Sequence, residues 1–203
     1  MLFRSAVTLG SLLPGDYNGD NNSDIVLAGN SSEYMLKVYE NDGYENLRDV
    51  YTNLTLKPFP YSYILAWTDY NNDGYLDILT NYNLMLSNNS NTIKKKPSSP
   101  SNLKTEISGF EVIFTWDKPD VNKGYSYNIR LGTTPNGTEI ISPMADVVTG
   151  KRLILDMGNT QLNNSWKIKN LKAAQLYYWS VQAVDGSFQG GEWAPEQSFI
   201  TQY

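Results

Sequence analysis

A nine-residue acidic window occurs twice in this chain, as Asp16-Tyr17-Asn18-Gly19-Asp20-Asn21-Asn22-Ser23-Asp24 and as Asp69-Tyr70-Asn71-Asn72-Asp73-Gly74-Tyr75-Leu76-Asp77. The copies begin 53 residues apart, and each carries an oxygen-bearing side chain at positions 1, 3, 5 and 9. An apolar run follows each last Asp, Ile25-Val26-Leu27 in one copy and Ile78-Leu79 in the other. Alternate side chains of such a window reach one centre only if the backbone curls into a loop. Three carboxylates and an Asn at one centre repel one another unless a cation lies between them. Ca²⁺, a hard cation that takes six to eight oxygens at about 2.3–2.6 Å, suits the set.

The expected side-chain donors are Asp16, Asn18, Asp20 and Asp24 in the first copy, and Asp69, Asn71, Asp73 and Asp77 in the second. The position-7 carbonyls, those of Asn22 and Tyr75, are expected to add one oxygen each, for two Ca²⁺ sites. A tight loop also needs a residue tolerant of positive φ near position 6. Gly74 supplies it in the second copy and Asn21, the next most tolerant type, in the first. An EF-hand is excluded, because its position 12 requires a bidentate Glu and here that position is Leu27 or Thr80. The flanking runs are short and rich in β-branched and aliphatic residues, which favours strands. The competing reading is two hairpin turns of ordinary Asn/Asp/Gly composition. The repeated spacing argues against it, because internal repetition is a strong organisational signal.

The first loop is followed by Lys37-Val38-Tyr39-Glu40-Asn41-Asp42-Gly43-Tyr44, and the second by Leu84-Met85-Leu86-Ser87-Asn88-Asn89, a shortened form of the same strand-then-turn segment. With the loops, these segments make residues 1–93 resemble FG-GAP/VCBS-type repeats, the calcium-loop repeats of integrin-like β-propellers. The resemblance implies four-stranded blades, and a propeller ring closes with four to eight of them. Two repeats are too few, so neighbouring blades outside this chain are expected as partners. A strand over residues 4–13 should precede the first loop, which places Met1 inside or near the start of a blade.

Between residues 87 and 101 the chain turns to Ser, Asn, Lys and Pro, the composition of an exposed linker. The expected division is 1–93 for the repeats, 94–100 for the linker and 101–203 for a second domain. The Lys94-Lys95-Lys96 run reads as part of the solvated linker. Beyond it, strands are expected at 111–116, 126–131, 152–156, 165–168, 177–184 and 197–201. About seven short strands in about 100 residues is the pattern of an immunoglobulin-like sandwich. This half resembles a fibronectin type III domain. Pro100 stands before the first strand, Trp116 late in the second, and Leu171 and Tyr177 match the family's leucine and corner tyrosine. The Trp193-Ala194-Pro195 to Phe199 stretch matches the last strand, and residues 133–164 are long for the family. Core packing is expected for Trp116 and Trp179. An aromatic, sugar-binding platform built from Tyr125, Tyr127, Trp179 and Trp193, or involving Tyr178, is the alternative use. The fold class is therefore all-β: partial β-propeller blades, as two FG-GAP/VCBS-type repeats, plus an immunoglobulin-like β-sandwich.

Composition narrows the chemistry. The chain has no Cys and no His, which removes thiol catalysis, imidazole bases and most zinc sites. Its net charge of −5 is local: the two loops hold six of the 21 acids, leaving 15 against 16 Lys and Arg. Two bound Ca²⁺ would bring the total to −1. There is no basic stripe, no apolar run of membrane-spanning length and no signal-peptide pattern, so neither nucleic-acid binding nor membrane insertion is expected. No catalytic or organic-cofactor residues are expected, because the acids are too regularly spaced for an acid/base pair. The resemblance implies a non-catalytic, calcium-binding adhesion or ligand-binding module of a larger, bacterial, extracellular or surface protein, with a protein or glycan ligand. The alternative is an ancillary, carbohydrate-binding or spacer region of a secreted polysaccharide-active enzyme.

Overall fold

The computed structural model describes residues 8–30, 34–44, 46–50, 65–80, 85–88, 93–121 and 123–202, and every regular element among them is a β-strand. The chain divides into two compact units, Met1–Lys94 and Lys95–Tyr203. The N-terminal unit opens with β1 (Thr8–Gly15), β2 (Asp24–Asn30), β3 (Tyr34–Asn41) and β4 (Leu47–Asp49), which form one antiparallel sheet in sequence order. A second sheet follows from β5 (Leu65–Thr68), β6 (Asp77–Thr80) and β7 (Met85–Leu86), also antiparallel and in order. The first four residues of the strand expected at 4–13 lie outside the described residues.

Both sheets begin alike. Gly15 pairs with Asp24 across the first acidic loop, and Thr68 pairs with Asp77 across the second. Each apolar run enters a strand directly after its last Asp. In the first sheet Val26 stands opposite Val38 and Ala28 opposite Leu36, all four buried. Such cross-strand apolar pairs are the unit of sheet stability. Ile78 of β6 joins the same core, with Leu13, Tyr17, Trp67 and Leu86 packed at its margin. The two repeats therefore share one apolar core.

The C-terminal unit is a sandwich. One sheet orders β11 (Ser165–Ile168), β9 (Glu111–Asp117) and β8 (Ser101–Ser108). The other places β12 (Leu176–Val184) centrally, with β10 (Ser126–Gly132) on one side. β13 (Gly190–Trp193) and β14 (Gln197–Ile200) pair with successive halves of β12, as one strand broken near Pro195. Val112, Phe114 and Trp116 face Tyr127, Ile129, Leu131, Trp179 and Val181 in the core between the sheets. The corner tyrosine is in place: Tyr177 is buried and its Oη accepts the Lys172 N–H at 3.0 Å, with Leu171 buried beside it.

Two expectations change here. Residues 152–156 form no strand beyond one bridge between Arg152 and Ala145. The Leu153-Ile154-Leu155 run is exposed, and the Arg152 guanidinium instead donates to the carbonyls of Pro143, Asp156 and Met157. The loop is thus tied by a side chain and not by a ladder. Strand β10 is buried on both faces. Its outer face carries Asn128, which donates to Gln182 Oε1 at 3.0 Å, while Gln182 donates to the Gly150 and Gly191 carbonyls. The long 133–164 segment also covers the free edge of β10: Thr160 donates to the Tyr127 carbonyl, and Asn159 exchanges hydrogen bonds with Ile129. An open strand edge invites pairing with other chains, and this one is closed. Finally, the aromatic platform loses three of its members, while Tyr178 and Trp193 stay half-buried. Tyr125, Tyr127 and Trp179 are buried in the core, and Trp193 is held by its Nε1–H on the Asp146 carbonyl at 3.1 Å and by the Arg130 guanidinium 5.4 Å from its ring.

Tyr127 yields a measurable consequence. Its hydroxyl is buried with no hydrogen-bond partner among the described residues, and burial pushes it up to about 12. The folded protein then holds this proton while the unfolded chain, titrating near pH 10, has lost it. Stability from this group is complete below pH 10 and is lost as pH rises from 10 to 12. Tyr127→Phe should flatten that alkaline decline in denaturant unfolding. At neutral pH it should be neutral or stabilising by about 1 kcal/mol, since an unmade buried hydrogen bond costs that much or more.

Candidate functional site

The two acidic loops are built alike to the level of single hydrogen bonds. At position 2, Tyr17 and Tyr70 donate their N–H to Oδ2 of the last Asp, Asp24 or Asp77, at 2.8 and 2.9 Å. At position 5, Asp20 and Asp73 donate to the Asn two residues earlier. Position 7 donates to position 5, Asn22 to Asp20 and Tyr75 to Asp73. Position 6 donates to position 1, Asn21 to Asp16 and Gly74 to Asp69. Short polar side chains that bond their own backbone in this way hold a loop in one shape.

The backbone shows why Asn and Gly occupy the remaining places. Position 6 has positive φ in both copies, 72° at Asn21 and 87° at Gly74, as the sequence led us to expect. Position 4 is left-handed as well, 80° at Gly19 and 57° at Asn72. The copies solve one conformational demand with Gly and Asn exchanged between the two positions.

The last Asp does more than close its own loop. Asp24 Oδ1 accepts the N–H of Asn41 at the end of β3, and Asp77 Oδ1 accepts the N–H of Asn88 just after β7. Both aspartates are fully buried. Asn41 and Asn88 open the turn segments that the sequence marked as equivalent, and these bonds explain the equivalence.

The loops also touch each other within the unit. Asn88 Nδ2 donates to the Tyr17 carbonyl at 2.7 Å, and Trp67 Nε1 donates to Pro14 at 2.9 Å. The ring of Tyr75 lies over Gly19, where an added Cβ would sit 2.9 Å from it. Lys94 joins both loops: its N–H donates to the Asp73 carbonyl at 2.7 Å, and its Nζ lies 3.1 Å from Asp16 Oδ2. The lysine run was read as solvated linker, but this first member is a buried ion-pair partner. Sequence reasoning missed it because the pair spans 78 residues and carries no local signal.

The donor chemistry bears differently on the two loops. Among the described residues, no three acidic groups stand close enough together to hold a metal ion, because each carboxylate is turned onto backbone N–H groups. Holding a cation would draw Asp69, Asn71, Asp73 and Asp77 together from this arrangement. In the second loop an acceptor is left over: Asp69 Oδ1 is buried with no partner among the described residues. Burial pushes the Asp69 carboxyl up, only partly offset by the Gly74 N–H, and the charges of Asp73 and Asp77 push the same way. A cation would relieve that strain of charge. Burial likewise pushes Asp24 up, against the N–H groups of Asn41, Asn18 and Tyr17. In the first loop Asp16 already has a cation, Lys94. The donor set of the second loop thus fits Ca²⁺ and that of the first fits it less well.

Residues 16–80 match the FG-GAP-like repeat family. No curated protein matches the chain. Among solved structures the chain is similar to the FN1–FN3 domains of chicken CNTN1, with 15% identity and a TM-score of 0.43 over 93% of this chain and 64% of that one. It is also similar to the sixth fibronectin type III domain of human fibronectin type III domain containing protein 3, with 15% identity and a TM-score of 0.39 over 56% and 92% of the two chains. A third similar structure is the α-L-rhamnosidase of Dictyoglumus thermophilum, with 19% identity and a TM-score of 0.37 over 54% of this chain and 13% of the enzyme.

Proposed function

We propose that this chain, an FG-GAP-like repeat segment joined to a fibronectin type III-like sandwich, is a non-catalytic, calcium-ordered module of an extracellular or cell-surface protein that serves adhesion or ligand binding. The observation that carries the calcium reading is the buried Oδ1 of Asp69, unpartnered among the described residues, in a loop whose other donors are Asn71, Asp73, Asp77 and the Tyr75 carbonyl. When bound, Ca²⁺ supplies positive charge to a cluster that otherwise repels itself. The residues of the chain do the rest. Asp77 ties the loop to the end of β7 through Asn88, and Asn88 in turn reaches Tyr17 in the first loop. Ordering the second loop therefore stiffens the shared core of both repeats.

The non-catalytic part rests on the same bonds. The carboxylates at positions 5 and 9 are committed to capping backbone N–H groups, an arrangement suited to holding a loop and not to moving protons. A protein or glycan is the partner that fits such a module.

Terbium is a luminescent stand-in for calcium, and Tyr75, Tyr70 and Trp67 lie in or beside the second loop. Excitation of these rings should sensitise terbium emission in the wild type, and added Ca²⁺ should quench it by competition. Asp73→Ala should abolish the signal. Emission absent from the wild type, or unchanged in the variant, would refute the assignment.

A further inference from the structure

The two loops share a backbone plan but not a charge balance, and Lys94 is the difference. Its side chain is 9% exposed and that of Asp16 is 1% exposed, so the pair is removed from water. A buried carboxylate requires a counter-charge, and Lys94 Nζ, 3.1 Å from Oδ2, provides one from within the chain. The side chain reaches Asp16 across Gly19: a Cβ at that position would lie 3.3 Å from Lys94 Cε and 2.9 Å from the Tyr75 ring. Glycine at position 4 of the first loop, where the second loop has Asn72, thus leaves the lane through which the lysine passes. The backbone N–H of the same residue holds the Asp73 carbonyl, which fixes where the lysine starts.

We infer that Lys94 is the resident cation of the first loop, so that the two acidic loops are held by different cations: the first by this lysine and the second by calcium. The inference rests on the calcium reading of the second loop. It predicts one Ca²⁺ per chain where the sequence alone predicts two. The first loop keeps its donor residues, Asp16, Asn18, Asp20, Asn22 and Asp24, so removing the ammonium group should turn it into a second calcium site.

Equilibrium dialysis of the full chain against radiolabelled Ca²⁺ counts the sites, and thermal melts in EDTA and in Ca²⁺ supply a second readout. The expected count is one in wild type, one in Lys94→Arg, which keeps the charge, and two in Lys94→Gln. Lys94→Gln should melt below wild type in EDTA and gain more than wild type from added Ca²⁺. A wild-type count of two overturns the inference while leaving the calcium reading intact, and needs no variant to fold. A count of one in well-folded Lys94→Gln also overturns it. A count of zero in all three proteins would show instead that the calcium reading itself has failed, and the inference with it.

Discussion

Replacing Trp179 with Ala should cost the C-terminal unit about 3–5 kcal/mol, the range for truncating a large buried aromatic side chain. Trp179 is fully buried, its ring lies 4.6 Å from that of Phe114 across the sandwich, and it stands opposite Leu131 on β10 and Gln197 on β14. One side chain thus ties the central strand to both its neighbours and to the facing sheet. A loss of that size is comparable with the whole stability of many small domains. Circular dichroism in a denaturant series is the suitable measurement, since the substitution removes a fluorophore. The C-terminal transition should move to much lower denaturant, while terbium binding by the N-terminal unit stays as in wild type. A cost below about 1 kcal/mol would mean that the core is not packed as described.

Asp24→Ala should produce the second large effect, in the other unit. The carboxylate accepts the N–H groups of Tyr17 at 2.8 Å, Asn41 at 2.9 Å and Asn18 at 3.3 Å. Removing it leaves those donors without their acceptor in a buried site. Each orphaned buried group costs about 1–3 kcal/mol, so a total of about 3 kcal/mol is expected after local relaxation. The loss should appear in EDTA as well as in Ca²⁺, because these bonds exist without any metal. Asp73→Ala should behave differently: it should remove the calcium-dependent increment with a smaller loss in EDTA, since its side chain is only half-buried and caps a single backbone N–H, that of Tyr75. Equal and calcium-independent losses in the two variants would contradict the division of labour between positions 5 and 9.

Much of this architecture was legible in the chain. The recurring Asp, Asn and Gly positions announced the loops, because few residues tolerate positive φ and fewer still also accept or donate along their own backbone. The placement of Asn21 and Gly74 followed directly, and the same logic applied to Gly19 and Asn72 would have found position 4. The sandwich was legible through Trp116, Leu171 and Tyr177, whose roles depend on neighbours within a strand or a corner. What was hidden depends on distant contacts. Lys94 looked like its neighbours Lys95 and Lys96 until folding brought Asp16 to it. Leu153-Ile154-Leu155 resembled a strand because apolar runs are ambiguous, yet it lies exposed in a loop knotted by Arg152. Nothing in the 126–131 strand announced that residues 133–164 fold over it, where Asn159 reaches Asn128 and Asn136 accepts from the buried Arg130. Long-range cover of this kind leaves no periodic trace in the covered strand.

The central claim is that the second acidic loop binds calcium and that binding orders the repeats. Calorimetric titration with Ca²⁺, paired with melts in EDTA and in excess Ca²⁺, tests it on wild type and Asp73→Ala. Extracellular calcium modules commonly have dissociation constants of about 10⁻⁴–10⁻³ M. At a hundredfold excess over such a constant the stabilisation is about 2.7 kcal/mol, enough to raise the melting point of a domain this size by several degrees. The account predicts binding heat and a raised N-terminal transition in wild type, with both lost in Asp73→Ala. No heat and no shift in wild type would reduce the two loops to turns closed by their own side chains, and the claim would fail.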